Sequence, residues 1–168
     1  MPEIPLPTLT PTHRTRPTTL TTPTPAIPRL WRFPAELASV ARARAALQAA
    51  LRGAPTPLHS PQLSYELRLI ASELVTNAIR HGCHPDPVRA AEENIELLFW
   101  TADGHHWLAV SDPGSGRPAL AATADTRDPL ACGGRGLVLV EALSDIWAVV
   151  PRPTRGKTVV AGIRLGLS

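Results

Sequence analysis

Residues 73–82 read Glu73-Leu-Val-Thr-Asn77-Ala-Ile-Arg80-His81-Gly82. They close a helix expected to open near Ser60-Pro61, where a capping serine precedes a first-turn proline, and to run to His81 with Gly82 as terminator. Leu63, Leu67, Ile70, Leu74 and Ala78 recur at helical spacing and make its buried stripe. Glu73 and Asn77 stand one turn apart on a shared face, at the edge of that stripe, and Glu66 and Arg80 extend the polar line by two turns each way. A carboxylate can take a proton from an attacking hydroxyl, and an amide oxygen is a hard ligand suited to Mg²⁺. A solvated helix face gives the same spacing, so this stretch alone leaves its chemistry open.

Upstream, Leu30-Trp31-Arg32-Phe33 alternates apolar and charged residues, as a short strand does. A helix is expected next. Pro34 suits its first turn, Glu36 its positive end, and Leu37, Val40, Ala41, Leu47 and Leu51 its inner face, before Gly53 and a loop from Ala54 to Ser60. Downstream, after a loop containing Pro85 and Pro87, Asn94 to Thr101 and Trp107 to Ser111 read as strands joined by the hairpin signal Asp103-Gly104. Arg117 to Cys132 has no period and reads as a long surface loop. Gly136 to Ile146 is expected to be helical, and Trp147 to Val150 and Thr158 to Leu165 to be strands. The order of elements predicts an α+β fold of two layers, with helices stacked on one face of a mostly antiparallel sheet. A cleft then lies between the helices and the long loop.

Composition separates this unit from what precedes it. The chain has 168 residues, and eight of its 19 prolines, with nine threonines, fall before residue 29. Residues 1–28 therefore read as an extended, disordered Pro/Thr-rich tail, and residues 29–168 as one domain. Net charge is +3 and aromatics are 4%, without the basic stripe and interleaved rings of a nucleic-acid binder. Without the tail, 15 basic residues face 13 acidic ones, so the high pI says little about partners. No apolar run reaches the ~18 residues that would span a bilayer, and an apolar secretory leader is missing. Two cysteines, Cys83 and Cys132, make neither a disulfide framework nor a zinc site and suit a reducing, cytoplasmic setting.

Two more segments carry chemistry. Asp112-Pro113-Gly114-Ser115-Gly116 follows a strand, where a short acid can be aimed into a cleft and glycines let backbone approach a flat ligand. Such an aspartate can accept from an exocyclic amine; an ordinary strand-end turn has the same composition. Gly133-Gly134-Arg135-Gly136-Leu137 enters a helix, and glycines there free several N–H groups to converge on phosphate, or form a hinge. Gly156-Lys157-Thr158 opens the last strand and is not a P-loop, since Pro151 stands where that motif needs glycine. His81-Gly82-Cys83-His84 lacks the second pair of ligands of a zinc site. His105-His106 falls in the expected hairpin turn and reads as solvated, and Cys132 as a small apolar residue beside the glycines, with a redox role as the alternative.

In this order the segments resemble the gyrase, heat-shock chaperone, histidine kinase and MutL ATPase superfamily, with its Bergerat nucleotide fold, over about residues 30–168. Within it the chain is most similar to the small bacterial anti-sigma-factor serine/threonine kinases, whose helix reads S-E-L-x-T-N-A-x-x-H, as residues 72–81 do. The resemblance implies ATP and Mg²⁺ as cofactors, with Glu73 the general base and Asn77 the Mg²⁺ ligand. It places Arg80 near the phosphates, Asp112 on the adenine amine, and Gly114 and Gly116 around the base. Gly134, Arg135, Gly136 and Leu137 would cover the phosphates at the end of a lid between Gly116 and Gly136, and Thr158 would support Asp112 or a water beside adenine. The implied partners are an anti-sigma-factor antagonist as substrate, a sigma factor, and a second copy of the chain in a homodimer. The absence of a preceding helix with a phospho-acceptor histidine argues against a complete sensor kinase. A nucleotide-gated binding module with little turnover is the alternative from another class.

Overall fold

The computed structural model describes residues 28–53, 60–90, 92–114 and 135–165. Residues 1–27 of the expected tail, the long loop with Gly116, Cys132 and Gly134, and most of the Ala54 to Ser60 loop lie outside them. Five strands, β1 (Arg29–Pro34), β2 (Asn94–Ala102), β3 (His105–Asp112), β4 (Ile146–Pro151) and β5 (Lys157–Arg164), form one sheet in the order β1-β2-β3-β5-β4. All four pairings are antiparallel. Helices α1 (Ala38–Arg52), α2 (Pro61–Gly82) and α4 (Arg135–Leu143) share one layer, and a short α3 (Pro87–Ala90) precedes β2. The architecture is the expected α+β sandwich.

Side-chain alternation along the strands divides the apolar residues between two faces. Ile95, Leu97 and Phe99 of β2, Leu108 and Val110 of β3, and Val159, Ala161 and Ile163 of β5 meet Leu47 of α1, Leu67, Ile70 and Leu74 of α2, and Val140 of α4. That single cluster is the main core. The opposite face carries Leu98, Trp100, Trp107, Ala109 and Val160, with the rings of Trp100 and Trp107 stacked 6.0 Å apart. The hairpin between β2 and β3 has positive φ at both Asp103 (48°) and Gly104 (71°), the type I′ geometry that matches strand twist.

Several boundaries differ from the sequence expectation, each for a local reason. Pro34 ends β1 opposite Asn94 instead of opening a helix, and its carbonyl accepts from the Ser39 hydroxyl at 2.7 Å as α1 begins. Glu36 therefore sits before the helix, paired with Arg42 at 2.8 Å. His105 and His106 belong to β3, and His106 is buried, its Nδ1 2.8 Å from the Thr101 hydroxyl and its ring tilted on Phe99. They had read as solvated turn residues because two polar residues beside Asp-Gly look like more turn. Helix α4 stops at Leu143, where the Ser144 hydroxyl caps the Val140 carbonyl at 2.6 Å, and Ile146 is already in β4.

Candidate functional site

The site is assembled around the C-terminal half of α2. Ser60 fixes the start of that helix by accepting from the Leu63 N–H at 3.1 Å, and the buried stripe from Leu63 to Ala78 fixes its rotation against the sheet. Glu73 and Asn77 are then left half-buried on the adjoining face. Their side chains, like that of exposed Arg80, form no hydrogen bond or ion pair with a described residue. Half-buried polar groups without a protein partner stay open to water or to a ligand. The Glu73 carboxylate lies against the first turn of α4: a Cβ on Gly136 would stand 2.5 Å from Glu73 Oε2. The described N-terminal end of α4 therefore adjoins this acid.

The other end of the site is built on Asp112. Alternation puts Asp112 on the helix-facing side of β3 with Leu108 and Val110, opposite Lys157 of β5. Both side chains are withdrawn from water, 1% and 5% exposed, and the Lys157 ammonium donates to Asp112 Oδ1 at 2.9 Å. The Gly114 N–H donates to the same oxygen at 2.9 Å. Burial pushes the Asp112 carboxyl up from its ordinary range, and the Lys157 bond and charge, the Gly114 N–H and the charge of Arg152 offset only part of that rise.

Glycines let the backbone close on this carboxylate. A Cβ on Gly82 would overlap the Asp112 carboxyl group, and one on Gly114 would meet the Gly82 carbonyl at 2.6 Å. Gly156, at φ +96°, turns the chain into β5 with its Cα against the Asp112 carbonyl. Gly82 ends the helix, as expected, without a positive φ. It is the last residue of α2, Cys83 follows in extended conformation, and what the position needs is the absence of a side chain.

Residues 33–162 match the family profile of the histidine kinase-like ATPase domain. The chain belongs to that family. No curated protein matches it. The match runs from Phe33 of β1 to Gly162 of β5 and so includes every segment just described. An ATPase domain must hold an adenine base at one end and a triphosphate at the other. On α2, Gly82 lies nine positions beyond Glu73, about 13 Å at the rise of an α-helix. The residues fit such a ligand, with a glycine-lined buried acid at one end and unspent polar groups beside a helix start at the other.

Most of the expected site residues fall along this line. Glu73, Asn77 and Arg80 lie on α2, Asp112 and Gly114 at the end of β3, and Arg135 and Gly136 in the first turn of α4. Leu137 is 2% exposed and packs in the core, so its side chain seats α4 and only its N–H is available to a ligand. Thr158 needs a correction. It sits opposite Ser111, hydroxyl to hydroxyl at 2.8 Å, on the sheet face that carries Ala109 and Val160, away from Asp112. The group beside Asp112 is its neighbour Lys157, which the sequence reading passed over. Counting back by twos from Ile163, Ala161 and Val159 puts Lys157 on the inner face, and that signal was available. Gly116 and Gly134 lie outside the described residues. The His84 ring is taken locally: its Nδ1 accepts from the Asp86 N–H at 3.0 Å.

Two predictions test this geometry. Gly82→Ala forces a Cβ into the Asp112 carboxylate and should destabilise the domain by about 1–3 kcal/mol. Gly53→Ala, at φ −84° with its nearest neighbour 3.6 Å from the new Cβ, should instead be neutral or stabilising by up to about 1 kcal/mol. Denaturant unfolding of both variants distinguishes the two signs. Cys83, next to Gly82, has its thiol pushed up to about 11 by burial and then by the charges of Glu93 and Asp112. A raised thiol pKa removes thiolate at neutral pH, so site-resolved alkylation of Cys83 at pH 8 should run roughly 10²-fold slower than that of a free cysteine. Its rate should climb with pH towards 11.

Proposed function

We propose that the domain is an ATP- and Mg²⁺-dependent serine/threonine protein kinase of the anti-sigma-factor type, acting on a small regulatory protein. One observation carries this reading: a half-buried Glu73 carboxylate, without a partner among the described residues, lies against the first turn of α4, with the Asn77 amide one turn further along the same face. Hydrolysis or transfer needs a base beside the terminal phosphate, and a general base must reach the proton it removes. Glu73 is the acid so placed.

Asp112 accepts from the adenine amine, and Gly82 and Gly114, closed on its carboxyl group and on each other, hold it in place. The N–H groups of α4 from Gly136 onward bind phosphate oxygens, and Arg80 supports them with its charge. The Asn77 amide oxygen would hold Mg²⁺, which, when bound, neutralises charge on the phosphates. Glu73 orients the serine or threonine hydroxyl of the partner and takes its proton as the new O–P bond forms and the bond from Pγ to the ADP oxygen breaks. The resemblance of residues 72–81 to the anti-sigma-factor kinases supports an antagonist protein as that partner and a sigma factor as a second; a homodimer is the assembly of this reading, and the cytoplasm its setting on the cysteine usage.

The test is label transfer. The purified chain, Mg²⁺ and γ-labelled ATP, mixed with a candidate antagonist protein, should phosphorylate it. Glu73→Ala should lower that transfer by about 10²–10⁴-fold while ATP affinity, measured by equilibrium binding, changes only a few-fold. Tight ATP binding with no transfer to any antagonist would favour the nucleotide-gated binding module instead.

A further inference from the structure

The carboxylate at the base end of the site has two oxygens in unlike situations. Oδ1 receives both the Lys157 ammonium and the Gly114 N–H, each at 2.9 Å. Oδ2 accepts no hydrogen bond from a described residue. The group cannot swing to exchange them freely, because the Gly82 backbone lies against it on one side and the Lys157 ammonium holds it on another. A buried aspartate without a cation tends to take up a proton and become a donor. An ionised one accepts only.

We propose that Lys157 is the positioning residue that sets which purine the site takes. By holding Asp112 ionised, with Oδ2 turned free as an acceptor, it selects a 6-amino purine and rejects a 6-oxo purine. A 6-amino group donates and pairs with the free carboxylate oxygen; a 6-oxo group brings a second acceptor to it and leaves two oxygens in repulsion. Sites that hydrogen-bond a ligand group discriminate strongly against analogues that lack it, since their buried polar atoms are left unpaired. Lys157 makes this choice through Asp112. The inference rests on the reading of Asp112 as the base-recognising acid, and it is independent of whether the domain transfers phosphate.

Equilibrium binding of ATP and inosine triphosphate, which differ at the 6-position, is the readout, with Lys157→Met removing the charge at similar volume. The parent protein should prefer ATP by at least about tenfold. In Lys157→Met the ATP to inosine triphosphate ratio should fall towards one or invert, because an aspartic acid presents an O–H to the 6-oxo group. A folded Lys157→Met with the parent's ratio overturns the proposal. So does a parent protein that binds both nucleotides equally, which removes the role of Asp112 itself; failure to bind either removes the nucleotide reading altogether. Should Lys157→Met not fold, carbon-13 NMR of labelled aspartates in the parent protein decides: Asp112 should be ionised at pH 7.5, and a protonated signal there overturns the proposal. Lys157→Arg, which keeps the cation, should retain the preference for ATP, a recovery that a purely space-filling role for Lys157 would not require.

Discussion

The buried pair of Lys157 and Asp112 imposes conditions on almost everything around it. Two charges are withdrawn from water where β3 and β5 begin to part, and losing either partner would leave the other uncompensated at a cost of about 3–5 kcal/mol. The pair forms only in one register. A slip of one residue in β5 would bring Thr158 opposite Asp112 and send the ammonium to the other face of the sheet. Alternation along β5 therefore has to be kept by its apolar neighbours, and Val159, Ala161 and Ile163 in the main core with Val160 in the second cluster do so. The register that buries the core is the one that charges the site.

The same carboxylate reaches into the helix layer. Because the last turn of α2 touches Asp112 at Gly82, the axial position of the helix is fixed relative to the sheet, and Glu73 is fixed with it. Its other constraint is at Gly136, where α4 approaches the Glu73 carboxylate. Both close approaches use glycines at helix ends, Gly82 closing α2 and Gly136 in the first turn of α4. There backbone can lie against a carboxylate without the full cost of a glycine in a helix interior. A rigid helix with a glycine contact near each end of its polar face holds the two ends of the site at a set separation.

What was legible in the sequence follows from which signals are local. Helix α2 was readable because cap, first-turn proline and apolar stripe agree, and the β2–β3 hairpin because Asp103-Gly104 sits between alternating runs. The set of Glu73, Asn77, Asp112 and Gly136 was readable as an ordered pattern resembling a known superfamily, which the family match then supports. Lys157 was not seen, because its meaning lies 45 residues away across a pairing that only the register defines. Thr158 was chosen in its place for the same reason: neighbours in a strand point to opposite faces, and a motif read as a string does not say which. Gly82 was assigned to chain termination because a glycine at a helix end usually serves there, and the close approach that requires it is made by a residue 30 positions on.

The ion pair also bears on why such an arrangement persists. A buried pair can often be replaced by apolar residues of similar volume with no loss of stability, so stability alone is a weak reason to keep one. Around Asp112 an apolar replacement would be easy to accommodate: Val110 and Val159 adjoin it on the same face, and the main core continues from there. A methyl group at that place would seal the end of the core. A carboxyl group leaves one oxygen, Oδ2, without a partner among the described residues, and such an oxygen inside a glycine collar is suited to an incoming donor. The adenine amine of the nucleotide that this family binds is a donor of that kind. On this argument the charge on Lys157 is kept for recognition, and the fold supplies the register and the three glycines that make keeping it tolerable.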